Sequence, residues 1–178
     1  IEQYEKGMSL ESSDPKAAAF CYYNRAIIYA EQNRLQEAEK DFTKAIELDP
    51  NNPDRYKQRA EFYTNYLMDY DKALKDYSKA IEIEPKNPQK WYEKGRFIYV
   101  NYQNYDLAFK NFKKALEIDP SHAQAINGIG VIYMDQGKYD LALEQYNKGI
   151  ALIETNTWTA ALCYNNRADL YIIQEKYQ

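Results

Sequence analysis

One imidazole, two thiols and a scatter of carboxylates are the groups in this sequence from which a reaction could be built. His122 lies between Ser121 and Ala123 in a segment that reads as a loop. It has no second histidine and no cysteine pair at metal-ligand spacing, so neither a zinc site nor a histidine-activated nucleophile can be assembled around it. The expectation is a solvated loop histidine. Gly128 and Gly130 sit inside a helical pattern with no preceding strand, which does not make a phosphate loop and points instead to close helix packing. The acids fall mostly on exposed helix faces, and no pair is isolated in an apolar setting that would raise one carboxyl for general acid work. The chain is therefore expected to bind no metal, to use no cofactor and to be no enzyme within this segment.

Composition narrows the partners. Across 178 residues, 45% are hydrophobic, enough for a sizeable core, while Gly and Pro number only 6 each. Such scarcity of turn formers disfavours a many-stranded sheet and favours helix. The formal net charge of -4 would be repelled by a phosphate backbone or an anionic bilayer. Lys72, Lys75 and Lys79, and again Lys110, Lys113 and Lys114, are interleaved with Asp71, Asp76 and Glu117 and read as solvated helix faces, so nucleic acid is not an expected partner. No apolar run approaches the roughly 20 residues of a membrane span, and no membrane partner is expected.

The stronger signal is repetition. Phe42-Thr43-Lys44-Ala45-Ile46, Tyr77-Ser78-Lys79-Ala80-Ile81 and Phe112-Lys113-Lys114-Ala115-Leu116 recur, each leading to a proline, and Pro50, Pro85 and Pro120 stand 35 residues apart. Ahead of each lies a small residue four before a large one: Ala38 and Phe42, Ala73 and Tyr77, Ala108 and Phe112, then Ala142 and Tyr146. That spacing sets both on one helix face, the small one admitting a neighbouring helix and the ring filling the adjacent gap. Each unit also has an earlier helix with large, small and large residues at its first, fifth and eighth positions, as in Tyr22, Ala26 and Tyr29. Asn33, Asp69, Asn104 and Gly137 mark the turns between the two.

This pattern resembles the tetratricopeptide repeat. The unit from Ala19 carries Tyr22, Ala26, Tyr29, Ala38, Phe42, Ala45 and Pro50, and lacks only the leucine before the small residue, where Arg25 stands, as Arg59 and Arg167 do in two other units. The resemblance implies an all-α fold, an α-α superhelix or solenoid of antiparallel helical hairpins. The divisions are one solenoid segment over 1–178, with the second helix of a truncated repeat at 1–12, full repeats at 19–52, 53–87, 88–122 and 123–156, and the first helix of a further repeat at 157–178. Both ends thus read as cut through hairpins, with Gln178 where a second helix should begin.

Two units are 35 residues long, so an extra residue must be absorbed near 65–68 and 100–103 by a bulge or a longer turn. The chain also matches itself at an offset of 142, pairing Gly7 with Gly149, Cys21 with Cys163 and Arg25 with Arg167. Cysteines one super-repeat apart are too distant for a disulfide in an extended stack, which favours a reducing compartment and hence the cytoplasm.

In this family the inner groove is lined by first helices. Transferred by register, the groove residues are Tyr23, Asn24 and Lys57, then Tyr92, Arg96 and Tyr99, and then Asn127, Asn165 and Asn166. Asn amides can read a peptide backbone through donor and acceptor, and Tyr with Arg can supply stacking and carboxylate contacts. The family's grip on a C-terminal carboxylate fails here because Gln58, Gln89 and Glu93 occupy clamp positions. The implied function is a non-catalytic scaffold binding a peptide or protein surface. The alternative is the repeat arm of a larger enzyme whose catalytic domain lies outside this chain. Exposed hairpin ends would also suit end-to-end self-association.

Overall fold

Three of the first helices begin by the same device. Asp14, Asn52 and Asn87 each stand directly before a proline, and their side-chain oxygens accept from the backbone N–H of Ala17, Asp54 and Gln89 at 3.0, 3.1 and 3.0 Å. An Asp or Asn cap followed by proline satisfies orphan donors while fixing the entry dihedral. In this computed structural model, which describes residues 2–152, 154 and 156–176, ten α-helices and no strand are found among the described residues. They are α1 (Glu2–Met8), α2 (Pro15–Glu31), α3 (Leu35–Leu48), α4 (Pro53–Phe62), α5 (Tyr70–Ile83), α6 (Pro88–Tyr102), α7 (Tyr105–Ile118), α8 (Ala123–Asp135), α9 (Tyr139–Ile150) and α10 (Thr157–Lys176). The position expected to open a further second helix, Gln178, lies outside the described residues.

The chain divides into two compact units, 1–85 and 86–178. In the first, α2 and α3 form one hairpin and α4 and α5 another, with α1 against α2 and α3 against α4. In the second, α6 pairs with α7 and α8 with α9, while α7 packs on α8, and α10 packs on α8 and α9. The small-and-large pairs of the sequence form the seams: Ala38 and Phe42, Ala73 and Tyr77, Ala108 and Phe112, and Ala142 and Tyr146 are all buried.

The turn between α2 and α3 closes with the Arg34 N–H donating to the Tyr29 carbonyl at 2.8 Å around left-handed Asn33, and that between α8 and α9 with Lys138 to Tyr133 at 2.8 Å around Gly137 at φ 70°. Both are helix-ending turns that recover carbonyls the helix leaves unpaired. In one 35-residue unit the extra residue enters this turn. After α4 the backbone widens into a π-helical segment, Tyr63–Leu67, Met68 turns left-handed, and the Asp69 N–H reaches back to the Tyr63 carbonyl at 3.0 Å, one residue further than in the shorter turns. In the other, α6 runs 15 residues before Gln103 turns left-handed.

The offset of 142 has a physical basis. Gly7 of α1 faces Cys21 of α2, and Gly149 of α9 faces Cys163 of α10; a Cβ at either glycine would overlap the thiol sulfur. The lengthened helices α2 and α10, 17 and 20 residues, each leave room for only a hydrogen side chain at that contact. The pattern of α9 extends to Leu152, but the helix ends at Ile150, with Ala151 and Leu152 in a turn held by the Leu152 N–H on the Gly149 carbonyl at 3.2 Å.

Candidate interaction surface

Two first helices are tied to their hairpin partners by half-buried guanidinium–carboxylate forks. Arg25 of α2 donates Nε and Nη2 to Asp41 of α3 at 2.7 and 2.9 Å, and Arg59 of α4 donates the same atoms to Asp76 of α5 at 2.8 and 2.9 Å. The third nitrogen of Arg59 reaches Thr43 of the preceding hairpin at 3.1 Å. Burial alone would lower the Arg59 guanidinium, but the hydrogen bonds and charge of Asp76 outweigh it and hold it above its ordinary value. Arg167 of α10 donates to Asn147 of α9 at 2.7 Å. The arginines that replace the signature leucine are therefore cross-helix links.

In the first unit Tyr23 is half-buried, its ring 6.0 Å from Phe42 and under the Arg55 guanidinium at 5.5 Å. Asn24 spends its amide donor on the Phe20 carbonyl of its own helix at 2.7 Å, and Lys57 stands 3.8 Å from Glu61. In the second unit Tyr92 is half-buried and stacked on Phe112 at 5.7 Å, with the His122 ring 5.5 Å away, while Arg96 beside it is exposed. The Tyr99 hydroxyl of α6 donates to Asp135 of α8 at 2.6 Å; burial and then that bond raise it well above the usual phenol value. Asn127 of α8 and Asn166 of α10 meet directly, the Asn166 amide donating to Asn127 Oδ1 at 2.9 Å, and the Cys163 thiol donates to the same oxygen at 3.4 Å. Asn165 is exposed. Burial pushes the Cys163 thiol up to about 11, which leaves it protonated and unreactive at neutral pH.

His122 departs from the solvated reading. It is buried and caps α8: Nδ1 accepts from the Ala125 N–H at 3.3 Å, so Nε2 carries the proton and donates to Gln89 Oε1 at 3.1 Å. The residue before a helix whose first turn lacks Asp, Asn, Ser or Thr must cap with what it has, and an imidazole nitrogen is an acceptor. Burial pushes its pKa below the ordinary 6.5, against the opposing charges of Asp119 and Glu93. The unfolded chain then takes up a proton at a higher pH than the folded one. The stability this group contributes is constant above about 6.5 and is lost as the pH falls toward the depressed folded value. Thermal melts from pH 7.5 to 5 are expected to show this loss, and His122→Asn, which keeps a cap without titrating, to remove it. Equal slopes in the two proteins would contradict the cap assignment.

Among the described residues no cluster of three or more His, Cys, Asp or Glu is placed to hold a metal ion, and no helix is long and apolar enough to cross a membrane. What the fold presents is a set of helical hairpins whose first helices carry polar and aromatic side chains on one face, the form of a protein-binding repeat module.

Two family models, each described as tetratricopeptide repeat, match residues 19–52 and 123–156 and residues 58–87 and 91–122. The chain belongs to the tetratricopeptide repeat family and has the general architecture of a protein-interaction scaffold. No curated protein matches the chain. Among solved structures, a tetratricopeptide repeat protein from Parabacteroides merdae ATCC 43184 is 28% identical over 98% of this chain, with a TM-score of 0.74; the chain spans 66% of its length. PilF of Pseudomonas aeruginosa is 21% identical over 92% of this chain and 72% of its own, at a TM-score of 0.68. YrrB, described as a repeat protein of this family with an unusual peptide-binding site, is 23% identical over 90% of this chain and 84% of its own, at 0.63.

Proposed function

We propose that the chain is a non-catalytic scaffold that holds an extended peptide or a protein surface against the first-helix faces of its units. The observation that carries this reading is the Asn127–Asn166 amide pair. Its single hydrogen bond leaves the two Nδ2 hydrogens of Asn127 and the Oδ1 acceptor of Asn166 with no other bond among the described residues. A donor and an acceptor side by side match the carbonyl and N–H of a peptide group. Arg96 on α6 and Asn165 on α10 are exposed and can supply a cation and a further amide.

A random-peptide display library panned on the intact chain tests the reading. Enriched peptides that protect α6 and α8 from hydrogen exchange are expected to bind Arg96→Ala about 10-fold or more weakly, with helix content and melting unchanged, since that side chain is exposed. Tyr92 is the poorer probe, because its stacking on Phe112 makes its loss a packing change as well. No enrichment, or protection confined to α3, α5, α7 and α9, would sink the proposal.

A further inference from the structure

A recess of about 160 Å³ opens on the first-helix face of the first unit, between α2 and α4. Its floor is the buried pair Phe42 and Phe62, their rings 5.1 Å apart, and its walls are Tyr23 and Ile27 of α2 and Tyr66 of the π-helical segment. Tyr66 is 43% exposed and stacked on Phe62 at 5.8 Å, so the recess is a mouth in the surface and no closed core void. The wall exists because of the extra residue: the helical span from Pro53 to Leu67 carries Tyr66 past the point where the 13-residue α8 stops.

Size and lining restrict the occupant. Pockets for free small molecules start at about 300 Å³, whereas an apolar cavity of about 150 Å³ takes a single benzene ring. Aromatic walls at ring-contact distance favour another ring over an aliphatic chain. The rim is polar: Gln58 and Asn65 offer amides, and the Glu61 carboxylate, 44% exposed, stands 3.8 Å from the Lys57 ammonium. Burial raises the Tyr23 hydroxyl, the Glu61 charge adds to that rise, and the Arg55 and Lys57 charges oppose it.

We infer that this recess is a docking site for one aromatic side chain of a peptide, with a basic residue directly after it in sequence set against Glu61. The inference rests on the scaffold reading and sharpens it, by naming what the partner must present to the first unit.

The test uses the acetylated, amidated hexapeptide Gly-Ser-Phe-Lys-Ser-Gly, titrated into the isotope-labelled chain with backbone amides followed by NMR. Shifts are expected at Ile27, Glu61 and Tyr66. Replacing the peptide's Phe by Ala should weaken binding at least 10-fold, and replacing its Lys by Glu about 3-fold or more. Ile27→Trp, which fills the recess from its half-exposed wall, and Tyr66→Ala, which removes the opposite wall, should each reduce the shifts at least 10-fold; melting curves show whether each variant is folded, and either one suffices. The site is overturned if millimolar peptide leaves those three amides unmoved, if the Phe→Ala peptide binds as well, or if a folded variant binds as the parent does. Equal binding of the Lys→Glu peptide overturns the role of Glu61. Failure here with peptides still enriched by panning removes the recess alone; failure of the panning removes the scaffold reading with it.

Discussion

Phe112→Ala is expected to lower the stability of the second unit by about 3–5 kcal/mol, the range for removing a large buried ring whose surroundings cannot collapse. The ring is 2% exposed and lies between two glycines, Gly95 of α6 and Gly128 of α8, at each of which a Cβ would stand 2.8 Å from a ring carbon. Tyr92 covers a further side. With hydrogen atoms where side chains would otherwise be, little is left to relax into the void. The same geometry predicts a change of sign. In the parent, Gly128→Ala drives a methyl into a ring fixed on both sides and should destabilise by about 1–3 kcal/mol. In the Phe112→Ala background it fills part of the cavity and recovers helix propensity, about 1 kcal/mol for Gly to Ala within a helix, and should stabilise. Chemical denaturation followed by tryptophan emission suits the measurement, since Trp91 and Trp158 both lie in the second unit. The same sign for Gly128→Ala in both backgrounds would show that Phe112 is not what excludes a side chain there.

What the sequence disclosed, and what it hid, follows from how many positions carry each constraint. The hairpins were legible because four small-and-large pairs repeat one packing solution, and the offset of 142 was legible because Gly7 with Cys21 and Gly149 with Cys163 are the same contact made twice. The absorbed residue near 65–68 was legible from length alone, though only coordinates reveal a π-helical segment there and a longer helix in the next unit. His122 was misread because a loop position between Ser and Ala says nothing of the Gln89 amide and Tyr92 ring that enclose it. Likewise, periodicity assigns Tyr92 to a helix face but not to the boundary where that face tilts into Phe112. Tyr66 lay outside the transferred groove positions, which end at the twelfth residue of a repeat, whereas Tyr66 is the fourteenth of its own. The arginines at 25 and 59 stood out as departures, and a signal for their partners was present: an Asp directly before the aromatic of the following helix, at 41 and 76. Periodicity within one helix cannot pair them, because the bond crosses between helices.

That pairing supports the last prediction. Asp76→Asn keeps the shape of the side chain but turns an amide N–H₂ toward a guanidinium that has only donors, and leaves the Arg59 charge beneath the surface without its counter-ion. Asp76 is 6% exposed, and the pair is bidentate. Removing one partner of such a buried pair costs about 3–5 kcal/mol; the 18% exposure of the Arg59 side chain places the expectation near the lower end, about 3 kcal/mol. The pair as a whole is worth far less than that, because its attraction is offset by the desolvation of both ions. Leucine stands at the Arg59 slot in the family pattern, so Arg59→Leu with Asp76→Leu should pack the seam with apolar groups and return stability to within about 1 kcal/mol of the parent. Far-UV circular dichroism during urea unfolding is the appropriate readout, the first unit having no tryptophan. A loss under about 0.5 kcal/mol for Asp76→Asn would mean that the fork is solvated and adds nothing. A double variant as unstable as the single one would mean instead that the pair is a net source of stability, and that arginine stands at this slot because of the energy it supplies.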